Sequence, residues 1–415
     1  MKPVGPIPPF FADQQGELAI GGIPVGELAE KAGRTPFYAY DLGIASAQVE
    51  AFRAAMPKAI ELHYAVKANP HPAVIKHFVG LTDGLDLASG GELEKVVAAG
   101  AECAEVSFAG PGKREPEIEA AIAHGVTLNL ESETEAQRAL AIAERLGKSP
   151  RLAVRVNPDF ELKGSGMRMG GGAKPFGVDQ ARVPALVRSL LDAGADWRGF
   201  HIYSGSQSLD PQAIAESQAA SIALAAQLAK EIGRPPETVN LGGGFGIPYT
   251  AADSRLDIAP IGEALDAALA ARDDVLTSTR FMLELGRWLI GEAGVYVARI
   301  LDRKESQGEL FLIADGGMHH HLAASGNFGM VMKRNYPVAI ASRMGAEATE
   351  TATIAGPLCT PLDRLADNIA VPKAGIGDLV AVFASGAYGL TASPVNFLGH
   401  PGAAEIVVND GKVTI

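Results

Sequence analysis

His63-Tyr64-Ala65-Val66-Lys67-Ala68-Asn69-Pro70 is the stretch on which the fold turns. A short apolar run of strand character ends in a single lysine. Pro70 and Pro72 then oppose a helix for several residues, because proline fixes φ and pushes its predecessor toward extended backbone. The lysine therefore stands at the end of a buried strand. An amine desolvated there loses its proton more readily and becomes a nucleophile for an aldehyde. A lysine at a strand edge facing water is the plain alternative, and on general lysine usage the commoner one. The rest of the chain decides between them.

Outward from this stretch, residues 36–290 alternate short apolar runs with amphipathic Ala/Leu/Glu-rich segments. The predicted strands are 62–66, 85–88, 105–108, 127–130, 152–156, 199–202, 238–241 and 281–285, and helical patterns lie between them. Alternation of this kind points to parallel βαβ units. Eight units over roughly 250 residues is the size of a (β/α)8 barrel, with a doubly wound open sheet as the alternative. Polar and glycine residues gather just after these strands. Lys67 follows the first, Asp86 and Ser89 the second, Asn129 and Glu131 the fourth, and Arg155 and Asn157 the fifth. His201, Tyr203 and Ser206 follow the sixth, Gly242-Gly243-Gly244 the seventh, and Glu284, Gly286 and Arg287 the eighth. In a parallel barrel these ends share one rim, where active sites are built.

Beyond residue 290 helical periodicity fades. Segments 295–301, 310–314, 352–354 and 379–383 read as strands separated by turns, which predicts an antiparallel β-barrel or sandwich over 291–415. The first 35 residues have the same strand-turn-strand character and are expected to join it.

The formal net charge of -12 argues against a nucleic-acid backbone or an anionic membrane as partner. Two cysteines, Cys103 and Cys359, imply no disulfide framework and suit a reducing compartment. The start of the chain does not read as a signal peptide, and no apolar stretch is long enough to span a bilayer, so the expected location is the cytoplasm.

Gly242-Gly243-Gly244-Phe245-Gly246 can bring backbone N–H groups close to an anion, usually phosphate, or can simply make a tight βα turn. Glu284-Leu285-Gly286-Arg287 places a carboxylate and a guanidinium beyond a buried strand. They could brace each other, or serve a protonated ring nitrogen and an anionic group. A nucleophilic lysine, a phosphate cradle and a ring-nitrogen carboxylate are together what pyridoxal 5'-phosphate requires.

Segments 63–70, 84–89, 174–177, 205–207, 242–246, 284–287, 356–359 and 386–389 occur in order over nearly the whole chain. As a set they resemble the fold-type III pyridoxal-phosphate-dependent decarboxylases, which include the diaminopimelate and ornithine decarboxylases. The resemblance implies that Lys67 carries the cofactor as a Schiff base. Ser206, Gly243, Gly244, Arg287 and Tyr388 would lie at the cofactor phosphate, Gly286 would touch the cofactor, and Glu284 would pair with the pyridine nitrogen. Asp86, Arg155, His201 and Tyr203 would line the cofactor. Cys359 would reach the site from the second subunit of a homodimer with shared active sites, as the proton donor. Arg287, His319, Cys359, Thr360 and Asp363 would face the substrate.

The sequence departs from the family around the substrate. The histidine that stacks on the cofactor is replaced by Tyr203, with His201 two residues earlier on the same strand face. The acid that usually follows the cysteine is Thr360, and Ala323 stands where diaminopimelate decarboxylases carry an arginine. Both grips on diaminopimelate are thus missing, and the pattern is closest to relatives beside exosortase or carrier-protein systems. His319-His320-His321 invites a metal reading. In extended chain only His319 and His321 share a face, with no acidic or thiol partner at metal spacing, so no metal is expected.

The expectation is a decarboxylase acting on the α-carboxylate of a modified or carrier-linked amino acid. The alternatives are diaminopimelate decarboxylation, an amino acid racemase, and a non-catalytic cofactor-binding protein. The cysteine segment argues against racemization, and the residues that follow the barrel argue against the small cofactor-binding barrels.

Overall fold

The structure is a computed structural model that describes residues 1–162, 167–168, 170–327 and 334–415. It divides into two compact units. One comprises Val49–Gly246 and Leu256–Gly286. The other comprises Met1–Gln48, Ile247–Arg255 and Arg287–Ile415.

The first unit is a closed barrel. Its eight strands are Ile60–Ala65, Gly84–Leu87, Val106–Phe108, Thr127–Leu130, Arg151–Asn157, Asp196–Ile202, Thr238–Asn240 and Arg280–Leu285. Each pairs in parallel with the next, and the last pairs back onto the first. That last pairing excludes an open sheet. Leu62, Tyr64, Leu85, Leu87, Leu128, Val154, Phe200 and Leu283 are buried, the continuous apolar filling that strands covered on both faces need. Two of the barrel helices begin at serines whose side chains take up free N–H groups. Ser89 caps Gly90–Ala98 and Ser132 caps Glu133–Leu146, the latter ending on left-handed Gly147. Near Lys67 the backbone departs from expectation. The lysine lies in a 3-10 turn, Val66–Ala68, and Pro72 opens the helix Pro72–Val79 rather than delaying it. Proline is favoured in the first turn because the N–H it lacks would have no intrahelical partner there.

The second unit holds a mixed sheet. Most pairings are antiparallel, as expected from the sequence. Two are parallel: Glu309–Ala314 with Glu350–Ala355, and Phe37–Asp41 with Ala404–Asn409. An alternating apolar pattern specifies which face is buried, not which way the neighbour runs, so strand direction was not legible. Phe37–Asp41 also pairs with Gly294–Ser306, so its hydrogen bonds belong to this sheet. That is why the unit extends to Gln48, where the sequence division had placed 36–290 in the barrel and 1–35 and 291–415 in the β domain. The core of this unit includes Leu18, Ile20, Leu28, Phe37, Val295, Val297, Phe383, Ile406 and Val408. Among the described residues no helix is long and apolar enough to cross a membrane.

Candidate active site

In the barrel unit the ends of the first, sixth and eighth strands meet on one carboxylate. Lys67 Nζ donates to Glu284 Oε1 at 2.7 Å, and His201 Nε2 lies 3.0 Å from Glu284 Oε2. Burial alone would push the Glu284 carboxyl up. The Lys67 ammonium and the His201 contact outweigh it and hold the group well below the usual carboxylate range. Glu284 is therefore a buried anion, while Lys67 keeps 40% of its side chain accessible. Tyr203 lies beside this pair, its ring centre 5.2 Å from Lys67 Nζ and 6.2 Å from the His201 ring. The tyrosine and histidine two residues apart thus take separate tasks: His201 holds Glu284, and Tyr203 offers a ring face beside the lysine.

The glycine run follows the seventh strand. At Gly243 a Cβ would stand 2.1 Å from the Glu284 carbonyl oxygen, so only glycine lets this backbone pass so close to the eighth strand. Ser208 N donates to Gly244 O and Gly246 N returns a bond to Ser208 O, which fixes the turn beside half-buried Ser206.

Arg155 and Asp86 are held by neighbours that sequence reading did not link to them. Arg155 Nη1 donates to Glu131 Oε1 at 2.8 Å and the guanidinium lies 4.9 Å from the Phe176 ring. Glu131 also accepts from Gly110 N and Gly177 N, each at 2.7 Å. Burial would raise the Glu131 carboxyl, and Arg155, with the Gly177 N–H and the Lys113 charge, keeps it low. Asp86 accepts from Ser107 Oγ, and its other oxygen lies 3.5 Å from His63 Nδ1. His63 Nε2 is 3.8 Å from Glu61. Burial alone would lower the His63 imidazole, but the flanking carboxylates raise it to about 9.

The second unit carries the remaining expected residues. Arg287 Nη1 donates to Tyr249 Oη at 2.6 Å, and its guanidinium lies 4.6 Å from the Tyr388 ring. Cys359 is a free, exposed thiol. The adjacent Thr360 donates its N–H to Leu358 O and accepts from Leu362 N on its hydroxyl.

Two residues expected to face the substrate are buried and held by partners within the β unit. Asp363 is buried, and its carboxylate accepts from Met318 N at 2.6 Å and Leu358 N at 2.8 Å. It ties the segment after Gly317 to the cysteine loop, a task inside the β unit. His319 is fully buried among His320 and His400, with ring centres 3.8 and 5.0 Å away. The three histidines are not extended. His320 N and His321 N both donate to Gly317 O in a turn, so the alternation argument does not apply. Burial, with His320 and His400 nearby, pushes His319 down to about 4; burial pushes His321 down to about 3. Among the described residues no three His, Cys, Asp or Glu side chains are arranged to hold a metal ion.

Tyr249 was missed altogether. Its only signal was its place three residues after the glycine run.

These residues fit pyridoxal phosphate. An accessible lysine sits against a buried anionic carboxylate, and a glycine turn that no Cβ would permit lies alongside.

Comparison with known proteins agrees with this chemistry. Residues 42–291 match the family of the pyridoxal-dependent decarboxylase, pyridoxal binding domain. The chain is 40% identical over 386 residues to the L-glutamyl-[BtrI acyl-carrier protein] decarboxylase of Niallia circulans, covering 91% of this chain and 90% of that one. It is 32% identical over 411 residues to the diaminopimelate decarboxylase of Aquifex aeolicus, covering 98% and 94%. The crystal structure of diaminopimelate decarboxylase from M. jannaschii with L-lysine superposes with a TM-score of 0.88 at 25% identity, over 97% of this chain and 93% of that one. The chain belongs to the pyridoxal-dependent decarboxylases.

Proposed function

We propose that this enzyme removes the α-carboxylate of an amino acid carried on a carrier protein, with Lys67 as the cofactor lysine. The carrying observation is the buried Glu284 anion, held by His201 and facing Lys67. Bound pyridoxal phosphate supplies the sink for the electron pair left when carbon dioxide departs. Glu284 offers its negative charge to a protonated ring nitrogen, and His201 keeps that carboxylate oriented. The backbone around Gly243 and Gly244, with Ser206, Arg287 and Tyr388, takes the phosphate. Tyr203 supplies a ring face. Arg155 and Asp86, braced by Glu131 and Ser107, line the cofactor.

Exposed Cys359, contributed by a second copy of the chain, delivers a proton to the α-carbon. The working form is then a homodimer with shared sites, and two free cysteines suit the cytoplasm.

For the substrate, Thr360 and buried Ala323 offer neither an acid for a distal ammonium nor a cation for a distal carboxylate. A relative 40% identical is an L-glutamyl-[BtrI acyl-carrier protein] decarboxylase. A glutamyl group joined to a carrier through its side-chain carboxylate would keep its α-carboxylate free and present neither charge at its far end. Carbon dioxide release should be compared between L-glutamyl carrier-protein thioester, free glutamate and free meso-diaminopimelate. The thioester is expected to turn over with much the highest kcat/KM, since binding energy from the carrier arm contributes to the transition state. Efficient turnover of free diaminopimelate would contradict the proposal.

A further inference from the structure

Arg287 is a cation with phenols for company. Tyr249 accepts from its Nη1, the Tyr388 ring centre lies 4.6 Å from the guanidinium carbon, and among the described residues its buried Nε has no hydrogen-bond partner. No carboxylate among the described residues pairs with it. Enclosing a guanidinium without an anion is costly, so an anionic ligand completes this arrangement.

What aims Arg287 is therefore what holds Tyr249. That tyrosine lies in Ile247–Arg255, an excursion that belongs to the β unit. Its ring packs 4.7 Å from that of Tyr336, and Asp253 Oδ2 accepts from both Tyr249 N and Thr250 N. The first ten residues run along the same excursion. Lys2 N donates to Asn368 O at 2.7 Å and Gly5 N to Asn335 O at 3.2 Å. At Gly5 the strap is so close that a Cβ would stand 2.2 Å from Tyr249 O and 2.9 Å from Pro337 Cδ. Five residues on, the Phe10 ring lies 4.6 Å from the Arg255 guanidinium, which pairs with Glu292. The strap thus touches the excursion at both its tyrosine and its arginine end. Pro3, Pro6, Pro8 and Pro9 fix φ along it and lower the entropy lost on ordering it.

We propose that the N-terminal strap positions Arg287 through Tyr249, so that affinity for the cofactor phosphate depends on residues 1–10. This rests on the reading of Arg287 as a phosphate ligand. Tyr249 and Gly5 are positioning residues, since neither touches the cofactor in this account.

The test titrates cofactor-free protein with pyridoxal phosphate and, separately, with pyridoxal, which lacks the phosphate. Tyr249→Phe keeps the ring and removes the hydroxyl bonded to the guanidinium. It is expected to weaken pyridoxal phosphate roughly 10–100-fold, the range for a hydrogen bond to a charged group, and to leave pyridoxal unchanged. Gly5→Val and deletion of residues 1–10 are expected to reduce the ratio of the two affinities in the same direction, with melting temperature followed in parallel. A merely structural role would move melting temperature, or both ligands together. If Arg287→Ala lowers the ratio and Tyr249→Phe does not, the positioning role is overturned while the phosphate reading stands. If Tyr249→Phe lowers it and folded Gly5→Val does not, the strap has no part. If Arg287→Ala itself leaves the ratio unchanged, the phosphate reading falls and this inference with it.

Discussion

Lys67 Nζ lies 2.7 Å from Glu284 Oε1, and the two residues leave barrel strands that pair directly, Ile60–Ala65 and Arg280–Leu285. The lysine and the carboxylate therefore depend on a single strand register. A slip of one residue would turn Glu284 out of the barrel and leave Lys67 without its anion.

Replacing Glu284 by glutamine keeps the shape and removes the charge. Decarboxylation is expected to fall roughly 10²–10³-fold, the scale for loss of one preorganised electrostatic partner. Pyridoxal phosphate affinity is expected to change far less. Single-turnover kinetics on cofactor-saturated protein separates the two.

His201 helps hold the Glu284 carboxyl low, so His201→Phe is expected to raise it. A carboxylate that must be ionised for activity is lost as pH falls through its pKa. The acid limb of the kcat profile should therefore move to higher pH in the variant, while the alkaline limb stays in place.

If Cys359 acts in the site of a second copy, Lys67→Ala and Cys359→Ala homodimers are each inactive. Mixing and re-annealing them is expected to restore up to roughly a quarter of wild-type activity, because half of the dimers are mixed and each mixed dimer has one intact site. A chain that supplies its own cysteine would show no recovery on mixing.

The histidines give the two units opposite pH responses. In the β unit, burial keeps His319 and His321 neutral, at about 4 and about 3. Groups with depressed folded pKa values stabilise fully above the unfolded value near 6.5, and that stability is lost as pH falls from there toward 4. In the barrel, His63 is raised to about 9 by Asp86 and Glu61 against the opposing effect of burial. Its contribution is full below about 6.5 and is lost as pH rises through about 9. Thermal melts from pH 4 to 10 are expected to show both flanks. His319→Phe should flatten the acid one and His63→Gln the alkaline one.

Most of the barrel was legible because each strand is a short apolar run covered on both faces, and its predicted ends fall within three residues of those found. Lys67, His201, Glu284 and the glycine run were legible for the same reason, since they lie where those runs stop. Phe37–Asp41 was not: an apolar run before a helix reads the same whether its partners lie in a barrel or in the mixed sheet. Arg364–Val371 and Ala404–Asn409 escaped because their polar residues interrupt the pattern. The supports of these side chains were hidden too. Tyr249 holds Arg287, Glu131 holds Arg155 and Asp363 ties two loops, each by pairing across 24 to 45 positions of sequence or by the path of an excursion. No local pattern encodes a partner at that distance.

The most direct test of the central claim is borohydride reduction of the pyridoxal-phosphate-loaded protein followed by peptide mapping. A single cofactor adduct is expected on Lys67, in the peptide containing Tyr64-Ala65-Val66-Lys67-Ala68-Asn69, and none in Lys67→Ala. An adduct confined to another lysine in fully active protein, or full activity in Lys67→Ala, would contradict it.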